Sequence, residues 1–280
     1  MLKAFFKVSR PLNVLIAILT SIVGVYYINP HIDVNIIPII IIVGTIAVFA
    51  NVSNDIIDYR IDLINKIDRP LPSGLISIKD LIYFCIVILF LSLFTIALSS
   101  IHINGKIFCI VIIYPSIILY NLVLKKLPLI GNIVTAMILG SVFLFSELAV
   151  LGTVDNIQVL FFLATLLSFP RELIKDIEDI KGDQQYKYNT FPIKFGIKNS
   201  QYVFYISAMM LVCYSIFVYN SYQKFDTEYL ILVVILIHIP IIYCCLLLLY
   251  NHKRKYQTIS LILKLCTFFG LVVIILGQLY

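Results

Sequence analysis

Nine long runs of apolar residues divide this chain, and they constrain its fold more than any other feature of the sequence. A membrane-spanning helix needs about 20 mostly apolar residues, and each run approaches that length. The polar segments between the runs leave no room for a separate soluble domain, so we predict a single domain over residues 1–280. The predicted spans are 11–28, 34–55, 81–101, 107–122, 129–150, 157–174, 201–220, 228–250 and 258–279.

The composition supports a membrane protein and argues against a soluble enzyme. Hydrophobic residues make up 61% of the chain and charged residues 13%, whereas soluble domains contain about 45–50% apolar and about 25% charged residues. A soluble domain of this size has no use for so much apolar surface. We therefore predict an all-α polytopic membrane protein with nine transmembrane helices.

Basic residues are unevenly distributed among the segments that join the predicted spans. Of the 21 lysines and arginines, 18 lie at the N-terminus and in alternate connections, two lie on the opposite side, and Lys264 lies inside the last span. Positively charged loops remain in the cytoplasm. We therefore expect a cytoplasmic N-terminus, retained as a first helix because no cleavage site follows it, and an external C-terminus. The net charge of +6 then reflects topology, and we expect no nucleic-acid partner.

Ten of the 15 acidic residues lie in two of the regions predicted to be cytoplasmic, and six of them share one spacing. The first stripe consists of Asp55, Asp58 and Asp62, and the second stripe consists of Asp176, Asp179 and Asp183. Within each stripe the aspartates stand at positions i, i+3 and i+7, which share one face of a helix. We expect the first stripe to lie on a helix that continues out of the second span.

The chemistry of the two stripes points to a magnesium site. Carboxylates stacked on one face repel each other unless a cation offsets them. Oxygen ligands without histidine or thiolate select hard ions, and Mg²⁺ is usually held by a few carboxylates together with substrate phosphates. We therefore predict that the two stripes form one site for a diphosphate bridged by Mg²⁺.

Basic residues are interleaved with the acidic ones. Guanidinium and ammonium groups suit phosphate oxygens, so we expect a phosphate-binding role, although topology and attraction to anionic lipid explain basic loops as well. The basic candidates for substrate binding at the stripes are Lys66, Arg69, Arg171 and Lys175.

The residues around the first stripe resemble the first signature of the UbiA superfamily of intramembrane prenyltransferases. They read N-D-x-x-D-x-x-x-D from Asn54 to Asp62, followed by I-N-K from Ile64 and R-P-L-P-S-G from Arg69. The second stripe resembles the second aspartate motif of that superfamily. The resemblance implies Mg²⁺-dependent transfer of a prenyl group from an isoprenoid diphosphate to an acceptor at the membrane. It also implies that the six aspartates are the catalytic residues and hold two Mg²⁺ ions.

Within that superfamily, the chain most resembles the archaeal geranylgeranylglyceryl phosphate geranylgeranyltransferases. The sequence R-E-x-x-K-D-I-E-D-x-x-G-D from Arg171 and the sequence L-Y-N before Lys125 carry this resemblance. It implies a geranylgeranyl diphosphate donor and a lipid phosphate acceptor. In such a site two asparagines would orient metal-bound oxygens, and Lys125 with the arginines would hold the acceptor's phosphate. The substrate-binding residues added on this basis are Asn51, Asn54, Tyr120, Lys125 and Glu172.

Three alternatives are compatible with parts of this pattern. A prenyltransferase of the same kind could use an aromatic acceptor such as 4-hydroxybenzoate. A cation-coupled transporter also uses paired acids, but it would place them near the bilayer midplane on broken helices. A CDP-alcohol phosphotransferase also uses spaced aspartates with magnesium, but it needs D-G and A-R dipeptides that this sequence lacks. We expect no obligate protein partner for the favoured function.

Two charged residues lie inside predicted spans. Glu147 falls near the outer end of the fifth span, and Lys264 falls about two turns from the inner end of the last one. A long charged side chain near a helix end can reach the membrane surface while its stem stays in the apolar region. We therefore interpret both residues as snorkelling side chains without a role at the site.

Overall fold

The protein is helical throughout the residues that the computed structural model describes, which are 2–28, 30, 36–222, 224–250 and 254–277. No strand occurs among them. The helices are α1 (Leu2–Val8), α2 (Pro11–Ile28), α3 (Ile36–Ile57), α4 (Tyr59–Asn65), α5 (Ile78–Leu98), α6 (Ile103–Leu122), α7 (Ile130–Val150), α8 (Gln158–Gln185), α9 (Phe191–Phe195), α10 (Ile197–Ser221), α11 (Thr227–Leu249) and α12 (Lys255–Leu276).

Among the described residues, eight helices are long and apolar enough to cross a membrane. Each begins and ends within about one turn of a predicted span. The sixth predicted span, 157–174, falls in α8, which is also long but becomes charged from Arg171 onward. The number nine therefore stays a prediction that depends on α8. Residues 34–35 of the predicted second span, residues 278–279 of the predicted last span, Lys253 and the predicted external end at Tyr280 lie outside the described residues.

The outer surface of the bundle is apolar. Phe90 and Leu98 of α5 are each 71% exposed, and Leu249 of α11 is 72% exposed. A helix that is apolar on its inner and outer faces suits an environment of protein on one side and lipid on the other. The exposed side chains thus agree with a multi-pass membrane protein.

Helix α8 lies at the centre of the bundle, where it packs against α7, α10 and α12. Its fully buried side chains, among them Leu160 and Leu173, belong to a core that these helices share with α11. A second core joins α2, α3, α5, α6 and α7. Because α7 contributes Phe143 to one core and Phe145 to the other, it links the two halves of the bundle.

In two spans the helix widens into a π-helical turn just before a proline. The turn at Phe108–Ile113 precedes Pro115 in α6, and the turn at Val234–His238 precedes Pro240 in α11. Proline has no N–H to donate and its ring crowds the carbonyl four residues earlier. A π turn relieves that conflict without ending the helix, so both spans continue to their predicted ends.

Glu147 does not snorkel, so that prediction was wrong. Its side chain is fully buried, and its carboxylate accepts hydrogen bonds from the backbone N–H groups of Asp155 (3.2 Å), Asn156 (3.1 Å) and Ile157 (3.1 Å). These residues immediately precede α8. Because the connection after α7 folds back over Glu147, the carboxylate supplies acceptors and a negative charge where a helix begins.

Candidate active site

The two stripes lie at the same end of the bundle, where α4 packs against α8. The second stripe lies on α8, as its spacing predicts. The first stripe does not lie on one continuous helix as expected: α3 ends at Ile57, Asp58 is non-helical, and α4 begins at Tyr59. The Asp62 N–H still donates to the Asp58 carbonyl (2.8 Å). The break allows α4 to lie on α8 instead of extending the axis of α3.

One asparagine joins the two stripes. Asn65, the last residue of α4, donates through Nδ2 to the carbonyl of Asp179 (2.9 Å) and accepts through Oδ1 from the N–H of Gly182 (2.9 Å). Glycine is required for this approach, because a Cβ on Gly182 would lie 2.4 Å from Asn65 Nδ2. The Asn65 amide thereby fixes α4 against the half of α8 that carries the second stripe.

Every aspartate of the first stripe has a basic partner. Asp55, which is almost completely buried, forms ion pairs with Arg10 and with Arg69 (3.1 Å). Arg69 also pairs with Asp62, and Lys125 from the turn after α6 pairs with Asp58. Burial raises the pKa of Asp62 although Arg69 lowers it. The first stripe is therefore close to charge balance before any ligand binds.

The second stripe lacks that balance. Asp179 pairs with Lys66 from the first loop. Asp176 receives only an amide hydrogen bond, from Asn132 Nδ2 of α7 (2.9 Å). In the described part of the chain, no basic side chain lies within ion-pairing distance of Asp183, although this residue is buried and only 8% exposed. The half-buried Asp176 and the buried Asp183 thus have no ion-pair partner among the described residues.

This imbalance changes the acidity of both groups. Burial, with repulsion from Glu172 and Asp179, raises the pKa of Asp176 to about 7, although the Asn132 hydrogen bond lowers it. Burial, with repulsion from Asp176, Asp179 and Asp58, raises the pKa of Asp183 to about 7. An opposite charge nearby would favour the ionised form of both. The second stripe is therefore a place where a cation would be stabilised.

The second stripe is flanked by a compact ion cluster. Glu172 is almost fully buried and accepts from Arg171 (3.1 Å) and from Lys175 (2.6 Å). The Nε of Arg171 is buried without an acceptor. One carboxylate thus serves two cations, and the cluster keeps a positive charge that an anion could offset.

The remaining predicted substrate residues surround the stripes. Asn51 donates to the Ser9 carbonyl (3.0 Å), so its amide holds the chain before α2. Asn54 is half-buried one turn before Asp58, and its carbonyl accepts the Asp58 N–H (2.8 Å). The charges of Glu172, Asp176 and Asp58 act on the hydroxyl of Tyr120. Tyr120 therefore lies beside both stripes, as its inclusion in the site predicts.

An internal cavity of about 260 Å³ begins beside the ion cluster and extends between the spans. Its polar end includes Asn51, Ser168, Arg171 and Lys264, and aliphatic and aromatic side chains line most of the rest. Lys264 thus lies on the cavity wall, whereas we had interpreted it as a snorkelling side chain. An apolar cavity with a charged mouth suits an amphiphile whose head group is anionic.

The donor set of the two stripes fits Mg²⁺, although not as a closed cage. Within the described residues no three carboxylate, histidine or cysteine side chains converge closely enough to hold a metal ion. The reason is spacing, because positions i and i+7 lie about 10 Å apart along a helix. Mg²⁺ commonly takes one or two carboxylates and completes its shell with water and substrate phosphates. The unpaired carboxylates of Asp176 and Asp183 suit such an open site.

Three residues of this region escaped the sequence analysis as candidates. Arg10 carries no motif signal, and its pairing with Asp55 joins residues 45 positions apart. Asn132 is a polar residue inside an otherwise apolar span, which is a usable signal for a buried contact. Asn65 stands inside the I-N-K sequence, but only the structure reveals that its amide meets α8.

Comparison with known proteins gives a consistent family. Residues 14–275 match the family model of the UbiA prenyltransferase family. The chain is 32% identical over 264 residues to the digeranylgeranylglyceryl phosphate synthase of Methanobrevibacter smithii, which covers 93% of this chain and 92% of that one. It is 37% identical over 216 residues to the protein of the same name from Methanococcus maripaludis strain C7, which covers 75% and 74%.

Solved structures share the fold over nearly the whole chain. One, from work on digeranylgeranylglyceryl phosphate synthase in membranes, has a TM-score of 0.75 at 32% identity and covers 99% of this chain and 98% of that one. Another is a UbiA homologue from Archaeoglobus fulgidus bound to GPP and Mg²⁺. It has a TM-score of 0.65 at 18% identity, covers 97% and 99%, and supports the fold alone.

Proposed function

Because this chain belongs to the UbiA prenyltransferase family, we propose that it transfers a geranylgeranyl group from geranylgeranyl diphosphate to the free hydroxyl of geranylgeranylglyceryl phosphate. The product is the precursor of a two-chain ether lipid. Relatives at 32–38% identity are named for this reaction. The observation that carries the proposal is that Asn65 joins the two aspartate stripes, and that the helices carrying the stripes contribute Asn51 and Arg171 to the lining of an apolar cavity.

Different residues of the site would bind the metal, the diphosphate and the prenyl chain of the donor. Asp176 and Asp183 would hold Mg²⁺, together with carboxylates of the first stripe. When bound, Mg²⁺ offsets the charge of the diphosphate and makes it a better leaving group. Lys66 and Arg69 supply cations for the phosphate oxygens of the donor. The apolar cavity receives the geranylgeranyl chain and keeps water away from the allylic carbon.

The pairing of the first stripe gives these cations a second use. Arg69 and Lys125 pair with aspartates of the first stripe. With those carboxylates bound to Mg²⁺, Arg69 and Lys125 would be available for phosphate oxygens. In this exchange each basic side chain replaces a carboxylate partner by a phosphate partner, so the number of its polar contacts stays the same. Asn51, Asn54, Tyr120 and Glu172 keep the surrounding groups in position.

The proposal is tested with purified protein, geranylgeranyl diphosphate, Mg²⁺ and one of two acceptors. We expect geranylgeranylglyceryl phosphate to give the two-chain product and 4-hydroxybenzoate to give none. Chelation of the metal should stop turnover, and Mg²⁺ should restore it. Prenylation of 4-hydroxybenzoate alone would replace the lipid acceptor by an aromatic one while leaving the prenyltransferase class intact.

We also propose that the stripes face the cytoplasm and that the C-terminus lies outside. The excess of basic residues on the side of the stripes supports this orientation. The C-terminal position depends on whether α8 crosses the membrane. A tag placed after Tyr280 should react with an impermeant reagent in intact cells, and a tag before Met1 should not. Protection of the C-terminal tag would mean that an even number of helices crosses.

A further inference from the structure

Lys264 is a charged residue that neither the family motifs nor the topology explains. It lies in the middle of α12, and its side chain lines the internal cavity together with Arg171 of α8. None of the acidic side chains in the described part of the chain forms an ion pair with it. A lysine inside a span without a carboxylate is costly to maintain, which calls for a ligand that offsets its charge.

Other basic residues near Lys264 increase the need for a ligand that offsets its charge. The positive charges of Arg171, Arg10 and Lys175 act on its ammonium group. Arg10 is neutralised by Asp55, and Glu172 is shared between Arg171 and Lys175. Taken alone, the cluster of Arg171, Lys175, Lys264 and Glu172 sums to a formal charge of +2, and the carboxylates of Asp176 and Glu178 interact with Lys175 from the same helix. The buried Nε of Arg171 also lacks an acceptor, and buried donors normally have one.

The two sides of this mouth differ in what they can bind. Lys125 and Arg69, the basic residues that the sequence favours for the acceptor's phosphate, are already paired with first-stripe aspartates. Lys264 and the free edge of Arg171 have no such partner. A phosphate monoester carries about −1.5 to −2 charges at pH 7, which matches the excess of the cluster. A single chain attached to that phosphate would lie along the apolar wall of the cavity.

We propose that Lys264 and Arg171 form a phosphate subsite at the cavity mouth, which takes the head group of a single-chain lipid phosphate. The subsite is separate from the metal site of the stripes and is built from α8 and α12. Resting on the proposed function, this inference identifies the lipid as the acceptor. The diphosphate donor then binds at the stripes, and Lys264 decides which acceptor enters.

Binding of a simple probe tests the subsite without relying on turnover. Dodecyl phosphate is titrated into the purified protein by calorimetry, with geranylgeranyl diphosphate and Mg²⁺ as the second ligand. A charged hydrogen bond contributes enough that Lys264→Met should weaken dodecyl phosphate binding by about 10- to 100-fold. Lys264→Arg should restore binding to within about threefold. The donor with Mg²⁺ should bind all variants within about twofold.

Lys198→Met is the matched control, because Lys198 is an exposed lysine at the start of α10, and it should leave both affinities unchanged. Lys264→Gln replaces Lys264→Met if the methionine variant does not fold. Unchanged dodecyl phosphate binding in the neutral variants would overturn the subsite, and so would an equal loss of donor binding. If wild-type protein binds the probe through Lys264 but does not prenylate geranylgeranylglyceryl phosphate, the subsite stands and the proposed acceptor fails.

Discussion

The two aspartate stripes share one spacing in the sequence but differ in the side chains that surround them. Along the first stripe, Arg10, Arg69 and Lys125 pair with all three carboxylates. Along the second stripe, Asp179 alone forms an ion pair with a basic side chain among the described residues. Two motifs with the same spacing can therefore differ in charge balance and in their role at the site. The aspartates of the first stripe hold basic side chains in fixed positions. The second stripe, in contrast, contains carboxylates that need a cation to offset their charge.

Substitution of one aspartate in each stripe separates activity from stability. Asp176→Asn and Asp55→Asn should each lower kcat/KM by at least about 1000-fold, which corresponds to about 4 kcal/mol. Their effects on unfolding without metal should differ in sign. Asp176→Asn removes a repelled carboxylate while Asn132 keeps an acceptor, so the melting temperature should stay the same or rise. Asp55→Asn leaves Arg10 and Arg69 without the charge of their shared partner and should cost about 1–2 kcal/mol.

Activity assays and thermal unfolding in the same detergent measure both quantities. Asp68→Asn is the control for both measurements, because Asp68 is an exposed aspartate in the loop that follows α4. Near wild-type turnover in either stripe variant would mean that the stripes do not form one metal site. Equal destabilisation by the two substitutions would remove the contrast in charge balance.

The second stripe also predicts how magnesium affinity depends on pH. The pKa values of Asp176 and Asp183 are raised to about 7, so both groups are largely protonated at pH 6. The metal binds the ionised form, and its affinity should therefore rise with pH through 7. One such group predicts about a tenfold gain between pH 6 and pH 8, and two predict up to about 100-fold. The metal-free fold should lose stability as pH rises through 4 to 7, because deprotonation then becomes unfavourable in the folded state.

Calorimetric Mg²⁺ titration at pH 6, 7 and 8 measures the affinity. Asp176→Asn should reduce the pH dependence as well as the affinity. A constant Mg²⁺ affinity over this range would show that the first stripe, whose carboxylates are already paired, dominates metal binding.

Much of the fold follows from the sequence, because apolar runs of the right length locate the spans without any knowledge of their partners. The shared spacing of the aspartates predicts that the two stripes form one site, and α4, which carries Asp62, packs against α8. What the sequence does not reveal depends on contacts between distant residues. Lys66 meets Asp179 across 113 positions, and Lys125 meets Asp58 across 67. Charge balance is set by such contacts, so the difference between the stripes is invisible in their spacing.

The interruption at Asp58 and the buried state of Glu147 were missed for a related reason. A helical pattern of aspartates predicts a shared face but does not reveal that the chain leaves the helix for one residue. A glutamate near the end of an apolar run is compatible with snorkelling and with capping. Only the path of the next connection, at Asp155 to Ile157, decides between them.

A methyl group between the stripes tests whether their separation matters. In Gly182→Ala, the new Cβ would lie 2.4 Å from Asn65 Nδ2, so the Asn65 side chain must give up its hydrogen bonds to α8 or α4 must move away. We expect kcat to fall by about 10- to 100-fold, since small displacements of catalytic groups are costly. The Mg²⁺ concentration for half-maximal activity should rise as well.

A second substitution shows whether this clash is the cause. Asn65→Ala removes the atoms that a Cβ at Gly182 would meet, at the expense of two hydrogen bonds. The combined effect of Asn65→Ala and Gly182→Ala on kcat should therefore be smaller than the product of the single effects. Multiplying effects would indicate that the two residues act independently and that the Asn65 amide does not set the distance between the stripes.

The smallest effect is expected at a buried carboxylate that needs neither a basic partner nor a metal. Glu147 is fully buried like the aspartates of the site, but backbone N–H groups before α8 satisfy its oxygens. Glu147→Gln keeps the shape and loses the charge, and its NH₂ would face donors. Loss of a capping acceptor costs about 1 kcal/mol, so the melting temperature should fall by a few degrees. Because Glu147 caps the opposite end of α8 from the second stripe, kcat/KM and Mg²⁺ affinity should stay within about twofold.

Glu228→Gln, at an exposed position in the first turn of α11, is the control for unfolding. A large loss of activity at unchanged stability would instead connect the start of α8 to the chemistry at its other end, and the contrast between structurally and chemically required carboxylates would then fail.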